Sequence, residues 1–265
     1  MRFIILCLAL MAFLNGCAPN PVGFRREQIQ TDRFLLTAYT KITDNSQPFD
    51  IYIEGDGLAW RSRTQPSLNP TPRNPLALAL AARDPAANII YIARPCQFTP
   101  MDEDQHCNPS YWTSRRFSEE VIASVNQAVD TLTGAATKNR RLNLIGYSGG
   151  GAVAVLVAAR RHDVASIRTV AGNLDHDEVN RIHNVTPLYG SLNAIDQAAK
   201  VAAIPQLHFI GLKDDIVPPD IAARFRIASG PTRCVKLQTI ANATHDSGWT
   251  ELWPELLKEP MNCED

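Results

Sequence analysis

The chain has 265 residues, with 26 Lys and Arg against 27 Asp and Glu, a net charge of −1 at pH 7. Hydrophobic residues make up 45% and charged residues 20%, so a sizeable core is available and a wholly disordered chain is excluded. Near-neutral charge argues against a dedicated nucleic-acid binder, and no apolar run reaches the ~20 residues of a membrane-spanning helix.

At the N-terminus, Arg2 precedes an unbroken apolar stretch from Phe3 to Leu14, which has signal-peptide length. It ends in Leu14-Asn15-Gly16-Cys17. This order resembles the bacterial lipobox, in which a small residue precedes a cysteine that is lipidated and becomes the mature N-terminus. The resemblance implies removal of residues 1–16, a lipid on Cys17 and a place in the bacterial cell envelope. Ala18 after the cysteine points to the periplasm-facing outer membrane. Residues 17–31, with Pro19, Pro21 and Gly23, read as the lipidated cysteine and a tether. Residues 32–265 read as one folded domain.

From Asp32 onward, apolar runs of strand composition alternate with helical patterns. Strands are expected at 34–40, 49–53, 88–93, 142–145, 166–171, 207–210 and 234–240. Helices are expected at 74–83, opened by Asn74-Pro75 as N-cap and N1, and at 113–132, 149–161, 219–228 and 249–258. Such alternation predicts an α/β class domain, a mostly parallel open sheet with helices on both faces. Two segments read as irregular, 57–73 and 175–205. The second has the length of a small insertion near a pocket. Within it, Asp175-His176-Asp177-Glu178 reads as a solvated, capped helix start rather than a metal site.

Six cysteines are present, Cys7 in the signal and Cys17 at its end. The remaining four, Cys96, Cys107, Cys234 and Cys263, suit two disulfides in an oxidising compartment. Three pairings are possible, and the local pairs Cys96–Cys107 and Cys234–Cys263 are favoured because each falls in or beside a predicted loop. Each would contribute about 3–4 kcal/mol by restricting the unfolded chain. No Cys-x-x-Cys pair and no spaced histidine accompanies them, so no metal or cofactor is expected.

Gly146-Tyr147-Ser148-Gly149-Gly150 fits Gly-x-Ser-x-Gly, follows an apolar strand and opens a predicted helix. That strand–turn–helix setting is what a nucleophile elbow requires, since a tight turn leaves no room for side chains beside the serine. Here the chain resembles the α/β-hydrolase superfamily and, more loosely, its secreted bacterial lipoprotein members. The resemblance implies an α/β-hydrolase fold, with an acid after a late strand and a histidine after the last one. Gly211-Leu212-Lys213-Asp214-Asp215-Ile216-Val217-Pro218 looks like the family's acid turn, with Asp214 as the acid and Asp215 as the open alternative. His245, between the last strand and the last helix, would be the base. His208, inside a strand, and His162, at a helix end, read as structural.

An acyl-transfer site also needs an oxyanion hole. The resemblance implies the N–H of Gly149 and one from Glu54-Gly55-Asp56-Gly57, with Asp56 as candidate and Gly57 as alternative. Glu54 stands where the family usually carries a histidine. Trp60, Arg61, Arg94 and Trp112 are candidate substrate contacts around the pocket, each with a structural role as the alternative. The chain therefore reads as a serine hydrolase, carboxylesterase-like, acting on a small-molecule ester, thioester or amide. Short connectors suggest small or medium acyl groups. A membrane contact through Cys17 is expected, and a nucleic-acid partner is not. The competing reading is a non-catalytic lipoprotein that uses the fold as a binding or scaffold module. Relatives with an Asp nucleophile are excluded by Ser148.

Overall fold

A computed structural model describes residues 20–134 and 141–264. The expected signal (1–16) and Cys17 lie outside the described residues. The strands are β1 (Arg25–Gln30), β2 (Leu35–Ile42), β3 (Phe49–Ile53), β4 (Asn88–Ile92), β5 (Leu142–Tyr147), β6 (Val164–Val170), β7 (Gln206–Gly211) and β8 (Val235–Ile240). They form one sheet in the order β1-β2-β4-β3-β5-β6-β7-β8. β1, β2 and β4 pair antiparallel, and every pair from β4 through β3 to β8 is parallel. Parallel strands need crossovers, and the helices in those crossovers cover both faces of the sheet.

Alternation along the strands sends residues to two cores. Ile51, Ile53, Leu144 and Ile167 face α2 (Glu119–Thr133), α3 (Gly149–Ala158) and α5 (Asp220–Ala228). Tyr52, Tyr91, Ile145 and Phe209 face α1 (Leu76–Ala81) and α6 (Trp253–Leu256). Every residue of α3 is buried, so it is apolar all round rather than striped. Each of its valines contributes roughly 1.5–3 kcal/mol by leaving water. This rigid helix starts at Ser148.

The structure corrects several boundaries. Residues 25–30, assigned to the tether, form β1, whose backbone pairs with β2 from Arg25↔Thr40 to Gln30↔Leu35. Its sequence Arg-Arg-Glu-Gln-Ile-Gln hides the strand because an edge strand with one water-facing side needs little apolar text. α2 begins at Glu119 rather than 113. A 3₁₀ turn (Pro109–Trp112) and the segment to Ser118 precede it, and Glu119 and Glu120 then fill the first turn. α6 is one turn, not ten residues, because Pro254 has no N–H for a helix running through from 249. Pro75 takes the N-cap rather than N1 of α1.

Within 175–205 lie α4 (His176–Ile182) and a 3₁₀ turn (Ala194–Gln197). Asp175 caps α4 by accepting from the Glu178 N–H. His176 is buried, not solvated, with its ring stacked on Phe117 at 5.7 Å. Both disulfides join the favoured partners, Cys96–Cys107 and Cys234–Cys263.

Candidate active site

β5 ends at the carboxyl edge of the sheet, and the chain turns sharply into α3 at Ser148. The turn puts Ser148 at φ 51°, ψ −121°, a conformation that costs a non-glycine residue energy and lifts its side chain clear of the backbone. The turn is held by the Ser148 N–H on the Val170 carbonyl at 3.0 Å. The Ser148 carbonyl accepts from the Gly151 and Asn173 N–H groups, each at 2.9 Å. The motif glycines are there for space. A Cβ on Gly146 would lie 2.2 Å from the Gly150 carbonyl oxygen, and one on Gly150 2.2 Å from that of Ile53.

Asp214 follows β7 and is buried, while Asp215 is exposed. Of the two candidates, Asp214 is the one the fold brings to His245. Its Oδ1 accepts from the Ile216 and Val217 N–H groups at 2.9 and 2.8 Å. Its Oδ2 lies 2.9 Å from His245 Nδ1. His245 Nε2 lies 2.9 Å from Ser148 Oγ. With Nδ1 donating to the carboxylate, Nε2 carries the lone pair that accepts from the serine hydroxyl. The loop bearing His245 is clamped by the buried Trp249, whose indole N–H donates to the carbonyls of Thr244 and His245. Tyr147 packs a tilted ring 5.4 Å from the imidazole.

The Glu54–Gly57 loop is anchored twice. Glu54 is buried, and its carboxylate accepts from the Gly55 N–H at 2.9 Å and the Tyr91 hydroxyl at 3.1 Å. Burial pushes its pKa up to about 7 against those hydrogen bonds. Asp56 pairs with Arg94 at 3.1 Å and with Arg116 at 2.6 Å. Burial alone would raise the Asp56 carboxyl, but Arg116 and then Arg94 more than offset it and hold it below the usual range. The side chain is thus turned into a cationic clamp, and the Asp56 N–H has no acceptor among the described residues. The Gly149 N–H is in the first turn of α3, where helix geometry supplies no partner. Glu54, standing where the family usually carries a histidine, is thus an anchor of this loop.

Arg94 is not a substrate contact. It is 4% exposed, with its guanidinium over the Phe117 ring, on Asp56 and on the Arg116 carbonyl. Trp112 is likewise buried, donating to the Ser67 carbonyl. Trp60 does line the cleft. Sequence reading missed Arg116, Tyr147, Trp249 and Gln97, whose amide donates to the Gly55 carbonyl. Arg116 fell in a stretch read as helix, so only the fold could bring it to Asp56, sixty positions away.

Ser148, His245, Asp56 and Tyr147 open into a cleft of about 1200 Å³. Its apolar wall is made by Leu76, Leu78 and Ala79 of α1 with Leu58, Ala59 and Trp60. Segment 57–73 shapes it. The 175–205 insertion supplies none of its lining and borders it through the His183 imidazole on the Ile216 carbonyl. His208 is structural, with its Nδ1 on Thr169 Oγ1, and burial lowers its pKa to about 3. Among the described residues no cluster of three or more metal-ligating side chains occurs.

No protein-family model matches the chain, and no curated protein sequence matches it. Solved structures do. An esterase from Pyrococcus furiosus superposes with a TM-score of 0.60 at 13% identity, covering 90% of this chain and 91% of that one. The esterase domain of a Rhodothermus marinus protein gives 0.57 at 16%, covering 88% and 95%. A puromycin-hydrolyzing peptidase from Mycobacterium tuberculosis gives 0.60 at 16%, covering 88% of this chain but only 38% of its own. At such identities the likeness is one of fold.

Proposed function

We propose, from the premise that this chain has the α/β-hydrolase fold, that it is a serine hydrolase cleaving a carboxylic ester through an acyl-enzyme on Ser148. The observation that carries this reading is the continuous relay Ser148 Oγ–His245 Nε2 and His245 Nδ1–Asp214 Oδ2, each contact 2.9 Å, at the floor of an open cleft.

In this mechanism His245 accepts the Ser148 proton as Oγ attacks the ester carbonyl. The Gly149 and Asp56 N–H groups stabilise the oxyanion. His245 then returns the proton to the departing alkoxide, leaving an acyl-serine and the free alcohol. Water attacks the acyl carbonyl with His245 again as base, releasing the acid and restoring Ser148. Asp214 holds the tautomer and stabilises the imidazolium. The cleft exceeds the ~300–1,000 Å³ of ordinary small-ligand pockets, which favours a bulkier ester than the short connectors suggest.

The proposal includes a lipid on Cys17 and a place in the bacterial envelope. The order Arg2, Phe3 to Leu14, Gly16-Cys17 supports it, as do two disulfides. Loss of palmitate incorporation in Cys17→Ser tests that part.

Hydrolysis of p-nitrophenyl esters from acetate to decanoate, beside a fluorophosphonate label, tests the chemistry. Ser148→Ala is expected to lose the label and at least ~10⁴-fold of the turnover. A folded wild-type protein that neither turns over nor labels would make the binding-module reading the better one.

A further inference from the structure

Between Gly57 and Arg73 the chain carries three arginines, Arg61, Arg63 and Arg73, and no acidic residue. All three are exposed, and none takes part in an ion pair among the described residues. The same segment exposes Trp60 at 41% and Leu68 at 77%. Single exposed apolar groups are ordinary, but an aromatic and an aliphatic tip set among three unpaired cations is the composition of a membrane-interface loop.

Two of the arginines, Arg61 and Arg73, are also placed around cavities. A second hollow, about 550 Å³, lies under Leu58, Trp60, Arg61, Leu68, Asn69 and Arg73. Leu58, Trp60 and Arg73 line the catalytic cleft as well, so one continuous surface passes from the guanidinium groups to Ser148. The cleft is lined too by Asn20, Pro21 and the fully exposed Val22. Cys17 precedes Asn20 by three residues, which span at most ~11 Å even fully extended. A chain held at Cys17 therefore has its cleft mouth at the lipid surface.

We infer that the face bearing the cleft docks on an anionic phospholipid surface through the 57–73 loop. Arg61, Arg63 and Arg73 meet lipid phosphates, Trp60 and Leu68 enter the interfacial layer, and the substrate is an acyl ester drawn from the membrane. The substrate clause rests on the serine-hydrolase reading; the docking does not. Three near-surface arginines strengthen attachment to an anionic leaflet and add nothing on a neutral one.

The test is amide hydrogen exchange on the full chain in vesicles of phosphatidylcholine alone or with one-third phosphatidylglycerol. Any N-terminal attachment is common to both. Exchange across 57–73 is expected to slow on the order of tenfold in the anionic vesicles only. The Arg61→Gln/Arg63→Gln/Arg73→Gln variant should lose that protection, with exchange in β5 unchanged as the internal check on folding. Leu68→Asp, which keeps all three arginines, should weaken it too.

Equal protection in both vesicles, protection in neither, or full protection in the triple variant overturns the docking. Protection by inorganic phosphate in neutral detergent, without an effect of anionic lipid, assigns the arginines to a soluble phosphate and overturns it as well. Fluorophosphonate labelling of the same samples separates the two readings. Label without lipid-dependent protection rejects the docking alone, and protection without label rejects the hydrolase chemistry alone.

Discussion

The Asp56 carboxylate fills the space that a side chain on Gly149 would need: Oδ1 lies 2.1 Å from where that Cβ would stand. The loop after β3 and the first turn of α3 are therefore in contact at the two residues expected to supply oxyanion donors. A carboxylate so near a developing negative charge would oppose it. Here Arg94 and Arg116 neutralise that carboxylate, and the Asp56 N–H has no acceptor among the described residues. The acid serves as a clamp on the loop.

On the serine-hydrolase reading, Arg94 and Arg116 act as positioning residues through Asp56. Arg116→Met is expected to lower kcat roughly 10- to 100-fold with little change in KM, because the oxyanion loop loses half its hold. Without Arg116 the Asp56 carboxyl also titrates higher, so activity should fall off at higher pH on the acid side than in the wild type. A merely structural role would change expression or melting and leave the pH profile in place.

Asp214 and Asp215 separate cleanly. Asp214→Asn keeps the shape but favours the wrong imidazole tautomer, and kcat should drop on the order of 10⁴-fold. Asp215→Asn, at an exposed position, should stay within about twofold. Steady-state kinetics of the two variants decides the assignment.

Glu54 makes stability depend on pH. Its carboxyl has a pKa of about 7 in the folded chain against an ordinary 4.5. Between those values the folded state holds a proton that the unfolded state has released. The contribution is full below about pH 4.5 and is lost as pH rises through 7, a difference of order 3 kcal/mol by pH 8. Asp50, with burial and then Asp84 pushing its pKa up to about 7, adds in the same direction. Glu54→Gln should flatten the profile and unfold at higher denaturant than the wild type at pH 8. A steeper profile in the variant counts against this account.

The Cys234–Cys263 bridge sits just before β8, whereas His245 lies beyond the strand's far end. The bridge therefore does not tie down the loop that carries the histidine. Cys234→Ser/Cys263→Ser should therefore cost about 3–4 kcal/mol of stability while kcat, measured well below the melting temperature, stays near wild type. Parallel loss of kcat at matched folding would show that the bridge does position the histidine.

Much was legible in the sequence because local physics wrote it there. A buried parallel strand must be continuously apolar, and a turn between strand and helix around a serine must be made of glycines. β3, β4, β5 and β7 therefore fell within a residue or two of their expected places, and Ser148, Asp214 and His245 stood out in chain order. β1 was hidden because an edge strand is stabilised by backbone pairing that polar side chains do not reveal. The extent of α2 was overread because Arg116 suits a helix as well as the clamp it serves.

The sequence by itself therefore determined the layers of the sheet and the elbow, set by patterns within a few residues, and it favoured the local one of three cysteine pairings by proximity along the chain. Only the tertiary structure decided that Asp214 rather than Asp215 faces His245. It alone showed Arg94 closing on Asp56 with Arg116, and Trp60 reaching the cleft from a loop the sequence left irregular. Those outcomes depend on side chains from distant segments competing for the same few ångströms, and the energies that settle such competition arise only when the segments meet.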